Sequence, residues 1–326
     1  MRSASDGWVS AFWFMRDRMP QAAGAAQSAY KLASGRAPDP NCPSHDGHKA
    51  MKVSKTYKVK CKALLCALSL AVSAVSAVPA VSSVTARAGD SYIEYTGSAV
   101  GRREPDFLYG ERHILRYDDG RLAERTVLYT CADGAPFARK RVRYVEAEAP
   151  DFLFDDASNG MQEGVRTEGA ARTMFFRASG HDAQKSAPVP KVPGLVVDAG
   201  FDAFIQAHWS ELMAGKGVPL RFLVPSRLTQ MSFEVLHLGA DRFDGKPTEV
   251  FRMKLSGILG WFFSGIDVAY DADDHTLVRY QGLSDLRDAS GDNLQADIVF
   301  HANDRKPSTA QAMAAAQAAP LAPCHR

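Results

Sequence analysis

The sequence predicts a mainly β protein: a strongly curved antiparallel sheet or open β-barrel of about 9–11 strands, with one amphipathic helix as plug or cap. Three observations lead there. Short runs of alternating apolar and polar residues recur along residues 89–304. Asp-Gly pairs punctuate them, and Asp-Gly between two such runs is the strongest short-range hairpin signal. One stretch alone carries a helical stripe. A flat sheet this wide would expose long edges, which natural proteins avoid, so curvature is expected.

The chain begins with 50 residues rich in Ala, Gly, Ser and Pro, without sustained periodicity. They read as disordered upstream translation ahead of the true start. His45 and His48 near Cys42 therefore carry no metal site. Met51 opens a second start. Residues 51–62 hold five lysines and no acid. Uncharged residues 63–85 follow, and Ala86-Arg87-Ala88 supplies a small-x-small exit. This is the layout of a secretory signal peptide, residues 51–88. Cleavage near Ala88 would deliver the protein to the periplasm or outside the cell. The alternative is anchoring in the inner membrane by residues 63–81, whose length is close to that of a spanning helix. Their Ala, Ser and Val content makes insertion modest. Leu65 ahead of Cys66 rules out a lipoprotein lipidation site.

The charge divides with the leader. Residues 1–88 carry 12 Lys+Arg and 4 Asp+Glu, whereas residues 89–326 carry 27 and 33. The mature part is mildly acidic, which argues against a nucleic-acid partner. Of five cysteines, Cys131 and Cys324 survive cleavage. Whether they pair stays open, because Cys324 lies in an Ala/Pro-rich tail, residues 305–326, expected to be disordered.

Residues 89–304 read as one domain. Residues 92–96 alternate as a first strand. Residues 108–117 and 122–131 flank Asp119-Gly120, and Asp133-Gly134 turns the chain into 137–145. Residues 155–160 read as a loop. Residues 164–166 and 173–177 form a short strand pair, and 179–193, with three prolines, an exposed connection. Phe201, Phe204, Ile205, Trp209, Leu212 and Met213 then recur at helical spacing. Asp198 or Asp202 suits the start of this helix, and Gly215, Gly217 and Pro219 stop it. Strands resume at 220–224, 229–238 and 248–257, the last pair around Asp244-Gly245. Residues 265–270 and 276–283 flank an acidic turn, and 294–301 ends the domain.

Two stretches carry a resemblance. The first is Leu277-Val278-Arg279-Tyr280-Gln281-Gly282-Leu283-Ser284-Asp285-Leu286-Arg287-Asp288, with Gly291 and Ile298-Val299-Phe300. The second is Trp209-Ser210-Glu211-Leu212 with Phe222-Leu223-Val224-Pro225-Ser226-Arg227. Both resemble an uncharacterised family of exported proteobacterial proteins, a likeness that implies no activity. The layout is also similar to the half-barrel lipoprotein carriers of the periplasm, an eleven-stranded curved sheet with a helical plug. That likeness concerns fold, and any function it implies is analogy.

Catalytic constellations are thin, and no catalytic residue, cofactor or metal is assigned. There is no nucleophile elbow, phosphate-binding loop or Cys-x-x-Cys. Glu111 and His113 share one strand face and have the makings of an acid–base pair. His208 and Glu211 lie three apart on the helix, on its polar flank. The acidic turn 271–275 lacks the Gly and Glu positions of an EF-type calcium loop.

Two features bear on binding. Arg139, Arg141 and Arg143 share one face of a strand, with Lys140 on the other, and could contact anionic headgroups. Leu259, Trp261, Phe262 and Phe263, between glycines, form an apolar segment suited to a ligand site, with Trp209 and Phe204 of the helix beside it. The expected function is therefore non-enzymatic binding of an apolar or amphipathic ligand, a lipid or lipidated partner, with contact to an envelope protein or a membrane surface. The alternatives are an envelope structural or assembly protein without a ligand, and a hydrolase whose site the sequence does not advertise.

Overall fold

A computed structural model describes residues 89–257 and 265–324. Sixteen strands form one curved, unclosed sheet. The first arm holds β1 (Asp90–Gly101), β2 (Phe107–Asp118), β3 (Arg121–Thr130), β4 (Pro136–Arg143), β5 (Asp151–Asp156), β6 (Met161–Glu168), β7 (Ala171–Arg177) and β8 (Lys185–Pro188). The second holds β9 (Leu195–Val196), β10 (Val218–Val224), β11 (Thr229–Phe243), β12 (Lys246–Leu255), β13 (Ile266–Asp271), β14 (Leu277–Arg287) and β15 (Asn293–Val299), and β16 (Lys306–Pro307) follows. Each arm is a meander, and β1 joins them by pairing with β15. Among the described residues, only β9 and β10 pair in parallel.

The turn chemistry acts where the sequence placed it. Asp119 and Gly120 both adopt positive φ (47° and 78°), as do Asp244 and Gly245 (50° and 78°). Two central residues of this kind match the right-handed twist of the flanking strands. Curvature has a local cause as well. Register breaks interrupt the β1–β2, β2–β3, β3–β4, β11–β12, β13–β14 and β14–β15 pairings. Such bulges bend a strand and raise its twist. A short 3-10 turn, Pro225–Arg227, then packs against β6 and β7, bringing the ends of the two arms together.

The strand count exceeds the expected 9–11. The surplus lies in β5, which begins ahead of the expected loop, in β8 within the proline-rich connection, and in the two-residue strands β9 and β16. Short runs like these leave too little alternation to be read.

The single helix expected over the stripe is two helices, α1 (Gly200–Ala207) and α2 (Trp209–Met213). The break falls at His208 (φ −103°, ψ 12°). Tertiary packing overrides the stripe here: the Trp209 ring stacks on His275 with centroids 3.7 Å apart, and meets Phe251 edge-on at 5.0 Å. Phe204, Ile205 and Leu212 are buried as the stripe required, whereas Trp209 is half-buried. Their cluster includes Val235, Phe251, Val268 and Tyr270, so α1 and α2 cover the inner face of the second arm. Gly200 sets how closely α1 docks. A Cβ there would lie 2.0 Å from the Glu148 carbonyl oxygen, so only glycine fits.

The tail is ordered over residues 305–324, contrary to its composition. Residues 310–318 form α3 (Ala310–Ala318), capped by the Thr309 hydroxyl, which accepts from Ala312 N–H at 3.1 Å. Met313 and Ala316 bury against Ile114 and Leu128 on the outer face of β2 and β3. An Ala-rich run looks like low-complexity sequence, but small side chains let a helix lie close against a sheet. Cys324 is disulfide-bonded to Cys131. Among the described residues no helix is long and apolar enough to cross a membrane. The proposed signal peptide and the alternative anchor 63–81 lie outside the described residues, as do residues 1–50.

Candidate functional site

One row of cross-strand neighbours organises the inner face of the first arm. Tyr95 pairs with His113, His113 with Val127, and Val127 with Lys140. Lys140 pairs with Phe154, Phe154 with Glu163, and Glu163 with Phe176. Directly opposite residues on one face touch, so the row is a continuous strip across seven strands. Its walls are aromatic and aliphatic. Its polar members stand at positions where alternation would place apolar side chains.

Lys140 is the centre of this strip. Its side chain is only 9% exposed, and its Nζ lies 2.5 Å from Asp198 Oδ1 and also donates to Asp285 Oδ2. Burial pulls the ammonium down, but Asp198 and Asp285 outweigh it and hold Lys140 well above its ordinary value. Asp198 precedes α1 in the left-handed region (φ 45°), a conformation Asp tolerates better than most. Burial raises its carboxyl despite the pull of Lys140, and its Oδ2 is buried without a hydrogen-bond partner.

A second clamp runs parallel. Arg125 of β3 donates to Asp202 of α1 at 2.9 Å, and the Tyr270 hydroxyl donates to the other Asp202 oxygen at 3.0 Å. Both clamps tie the helical segment to the first arm, so α1 spans the two arms as a plug. Nearby, Arg125 Nε and the Tyr144 hydroxyl are buried with no hydrogen-bond partner.

Glu163 differs from these. It is half-buried, and its carboxyl has neither an ion pair nor a hydrogen bond among the described residues. Burial is the main cause that pushes it up to about 7, with the Asp285 charge adding to it and Arg287 and Lys140 opposing. Asp285 reaches solvent more freely, at 42% side-chain exposure. The two carboxylates lie at the edge of a core in which Phe154, Met161 and Leu286 are fully buried and Phe176 partly so.

Glu111 and His113 meet as the spacing predicts: His113 Nε2–H donates to Glu111 Oε2 at 2.6 Å. The pair is buried. Tyr95 stacks on the imidazole at 4.5 Å and Phe300 meets it edge-on at 5.4 Å. Burial lowers the His113 pKa, only partly offset by Glu111, so the ring is neutral and its Nδ1 is left without a partner. Beside it, the Tyr109 hydroxyl and Ser284 Oγ are hydrogen-bonded at 2.8 Å.

The other expected site residues lie elsewhere. Phe204 is core beneath α1, and Trp209 seals α2 against β12, β13 and His275. Leu259, Trp261, Phe262 and Phe263 lie outside the described residues. Arg139, Arg141 and Arg143 do share the outer face, opposite Lys140, but they are engaged within the protein. Arg139 donates to the Ala319 carbonyl at 2.9 Å beyond the end of α3, where a cation suits the helix dipole. Arg143 pairs with Asp151 at 2.9 Å, and Arg141 approaches Asp155 at 3.9 Å. His208 and Glu211 pair at 2.9 Å on the exposed flank. In the acidic turn, Asp271 Oδ1 accepts from the Asp273 N–H at 2.9 Å, a self-contained turn.

Sequence reasoning passed over Lys140, Glu163, Asp198 and Asp285 as site residues. A signal existed: Lys140 between Ala138 and Val142, and Glu163 between Met161 and Val165, are charges at positions of apolar phase. Asp198 and Asp285 carry no such mark.

No family model and no curated relative matches the chain. Among solved structures, it is similar to a domain from Vibrio parahaemolyticus provisionally assigned to outer membrane lipoprotein sorting. The likeness has 9% identity and a TM-score of 0.26, covering 68% of this chain and 86% of that one. An overlap this slight carries no argument about function.

Proposed function

We propose that the protein is a non-enzymatic binder of an amphipathic ligand, held on the inner face of the sheet beside the α1–α2 plug. One observation supports this reading: Glu163, half-buried and flanked across the strands by Phe154 and Phe176, lies on the same inner face as the partly exposed Asp285, beside the buried Lys140–Asp198 pair. Ligand sites combine mostly apolar walls with a few placed polar groups that fix orientation. The apolar walls would hold a tail, and the carboxylate end would hold a head. The leader of residues 51–88 supports a periplasmic or secreted setting, where a lipid, a lipidated partner or the membrane surface is at hand.

Native mass spectrometry of the protein purified from its own host tests the reading, together with titration of the environment-sensitive dye Nile red. A co-purifying amphiphile, or saturable dye binding, supports it. If neither is seen, the interior is filled and the envelope structural role takes its place. The hydrolase reading has one observation in its favour, the Glu111–His113 hydrogen bond. Against it, the imidazole is closed off by Tyr95 and Phe300, and Nδ1 meets no hydroxyl.

A further inference from the structure

We propose that the Cys131–Cys324 disulfide is a redox latch on the tail. A dithiol opens it, and residues 309–324 then leave the outer face of the sheet and bare Ile114 and Leu128. The inference concerns the face opposite the ligand site proposed above and stands apart from it.

The outer face of β2 and β3 is polar around the spot that the tail covers. Ile114 has Glu94 and Thr126 as cross-strand neighbours, and Leu128 has Arg112 and Arg139. The two apolar side chains are nevertheless only 0% and 6% exposed. Apart from Tyr92, everything apolar packed with them belongs to the tail: Met313 and Ala316, then Ala312, Ala319 and Leu321. Their burial therefore depends on the tail staying in place.

The tail's non-covalent hold is slight. Residues 308–324 carry no charged side chain. Helix α3 has 9 residues, fewer than a helix needs to persist alone in water. Met313 is the one large side chain it buries, beside Ala310 and Ala316. Single hydrogen bonds add to this. Gln317 Nε2 donates to Thr126 Oγ1 at 3.2 Å, the Ala322 N–H to the Pro136 carbonyl at 3.1 Å, and the Cys324 N–H to Ser158 Oγ at 3.2 Å. Upstream, β16 pairs with β1, and Lys306 meets Glu94 at 3.1 Å. The tail is thus fastened at both ends, by strand pairing at one and by the disulfide at the other. With β16 still paired, a cross-link closing a loop of roughly 15 residues favours the attached form roughly a hundredfold.

The bond is placed for exchange. Cys131 opens the β3–β4 turn, residues 132–135 beside it are exposed, and both cysteines are half-buried. A thiolate of the dithiol attacks Cys324 Sγ, the S–S bond breaks, and Cys131 leaves as a thiolate that takes up a proton. The second thiol then attacks the mixed disulfide and releases Cys324 as a thiol. The protein gains two electrons and two protons, and the dithiol becomes a disulfide.

The test uses the protein purified from its own host, in native buffer, with and without dithiothreitol. Capture of thiols by N-ethylmaleimide, read by intact mass, reports whether the bond opens. Hydrogen exchange reports where the structure loosens. After dithiothreitol both cysteines should be captured, and the amides of α3 should exchange roughly a hundredfold faster. Those of β12 and β13, in the second arm, should keep their rates. Carbene footprinting should label Ile114 and Leu128 after reduction and not before, and reoxidation should restore slow exchange. Cys324→Ser should match the reduced wild type without any reductant, and Cys131→Ser serves if that variant folds poorly. Thiols already free before treatment, a bond that resists the dithiol in native buffer, or an opened bond with unchanged α3 exchange overturns the inference. So does exchange that rises equally in β12 and β13, because the bond would then hold the whole fold and latch nothing.

Discussion

Lys140 on β4 and Asp198 before α1 form a buried ion pair, Nζ to Oδ1 at 2.5 Å, that joins the sheet to the plug. Removing one member of such a pair leaves the other charge buried and alone. Lys140→Ala is expected to cost about 3–5 kcal/mol, because two carboxylates lose their common partner. Asp198→Asn should cost less, since Asp285 still answers Lys140. Urea unfolding of the two variants checks the order, and an equal, small loss would mean that the plug is not held by this pair.

Phe204 and Trp209 test the plug from its apolar side. Phe204 is fully buried, so Phe204→Ala should cost about 3–5 kcal/mol. Trp209 is half-buried, so Trp209→Ala should cost roughly 2 kcal/mol, less than a buried tryptophan would. The ranking in thermal unfolding is the readout. A larger loss at Trp209 would show that its stack on His275 outweighs burial.

Glu163 makes stability depend on pH with a defined sign. Its folded value, about 7, lies above the 4.5 of an ordinary glutamate. Between those two values the folded state therefore binds more protons than the unfolded state, and this contribution to stability falls as pH rises. It is fully present below 4.5 and lost above 7. The difference in melting temperature between wild type and Glu163→Gln should change across that window and stay level outside it. A flat difference would place Glu163 in open solvent.

The tail is expected to add stability and not merely trail. Met313→Ala should cost about 2–4 kcal/mol through the small core beneath α3. Cys324→Ser removes a cross-link closing 193 positions of sequence, for which chain entropy sets an upper value of about 5 kcal/mol. Wild-type protein should also run faster without reductant than with it on a denaturing gel. Unchanged mobility would mean that the two thiols are free in solution.

The proposed export predicts the mature terminus. N-terminal sequencing of the native protein should begin near Gly89. Retention of residues 1–50, or of the apolar stretch after export, would refute the signal reading.

The hairpin turns, the antiparallel meanders and the buried stripe of Phe204, Ile205 and Leu212 could all be read from local pattern. Each depends on residues close together in sequence. The break at His208 could not, because it answers to His275, which arrives from a distant turn. The site was half legible. Glu111 and His113 sit two apart, and their contact follows from strand geometry alone. Lys140, Asp198, Glu163 and Asp285 converge from four separate elements, and no spacing rule relates them. The arginines were placed correctly on one face. Their engagement depends on α3 and on Asp151 and Asp155, which come from other segments.

The pairing of β1 with β15 has a consequence for how the protein folds. The first strand of the domain finds two of its three partners, β15 and β16, only when nearly the whole chain is present, so the middle of the sheet has high contact order. Each arm can form its hairpins locally, but the seam that makes them one sheet must await the far end of the chain. Folding should then be slow, with the arms assembling early and their joining limiting the rate. In a chain that crosses a membrane unfolded, such an arrangement defers completion of the native sheet until the whole domain has passed through.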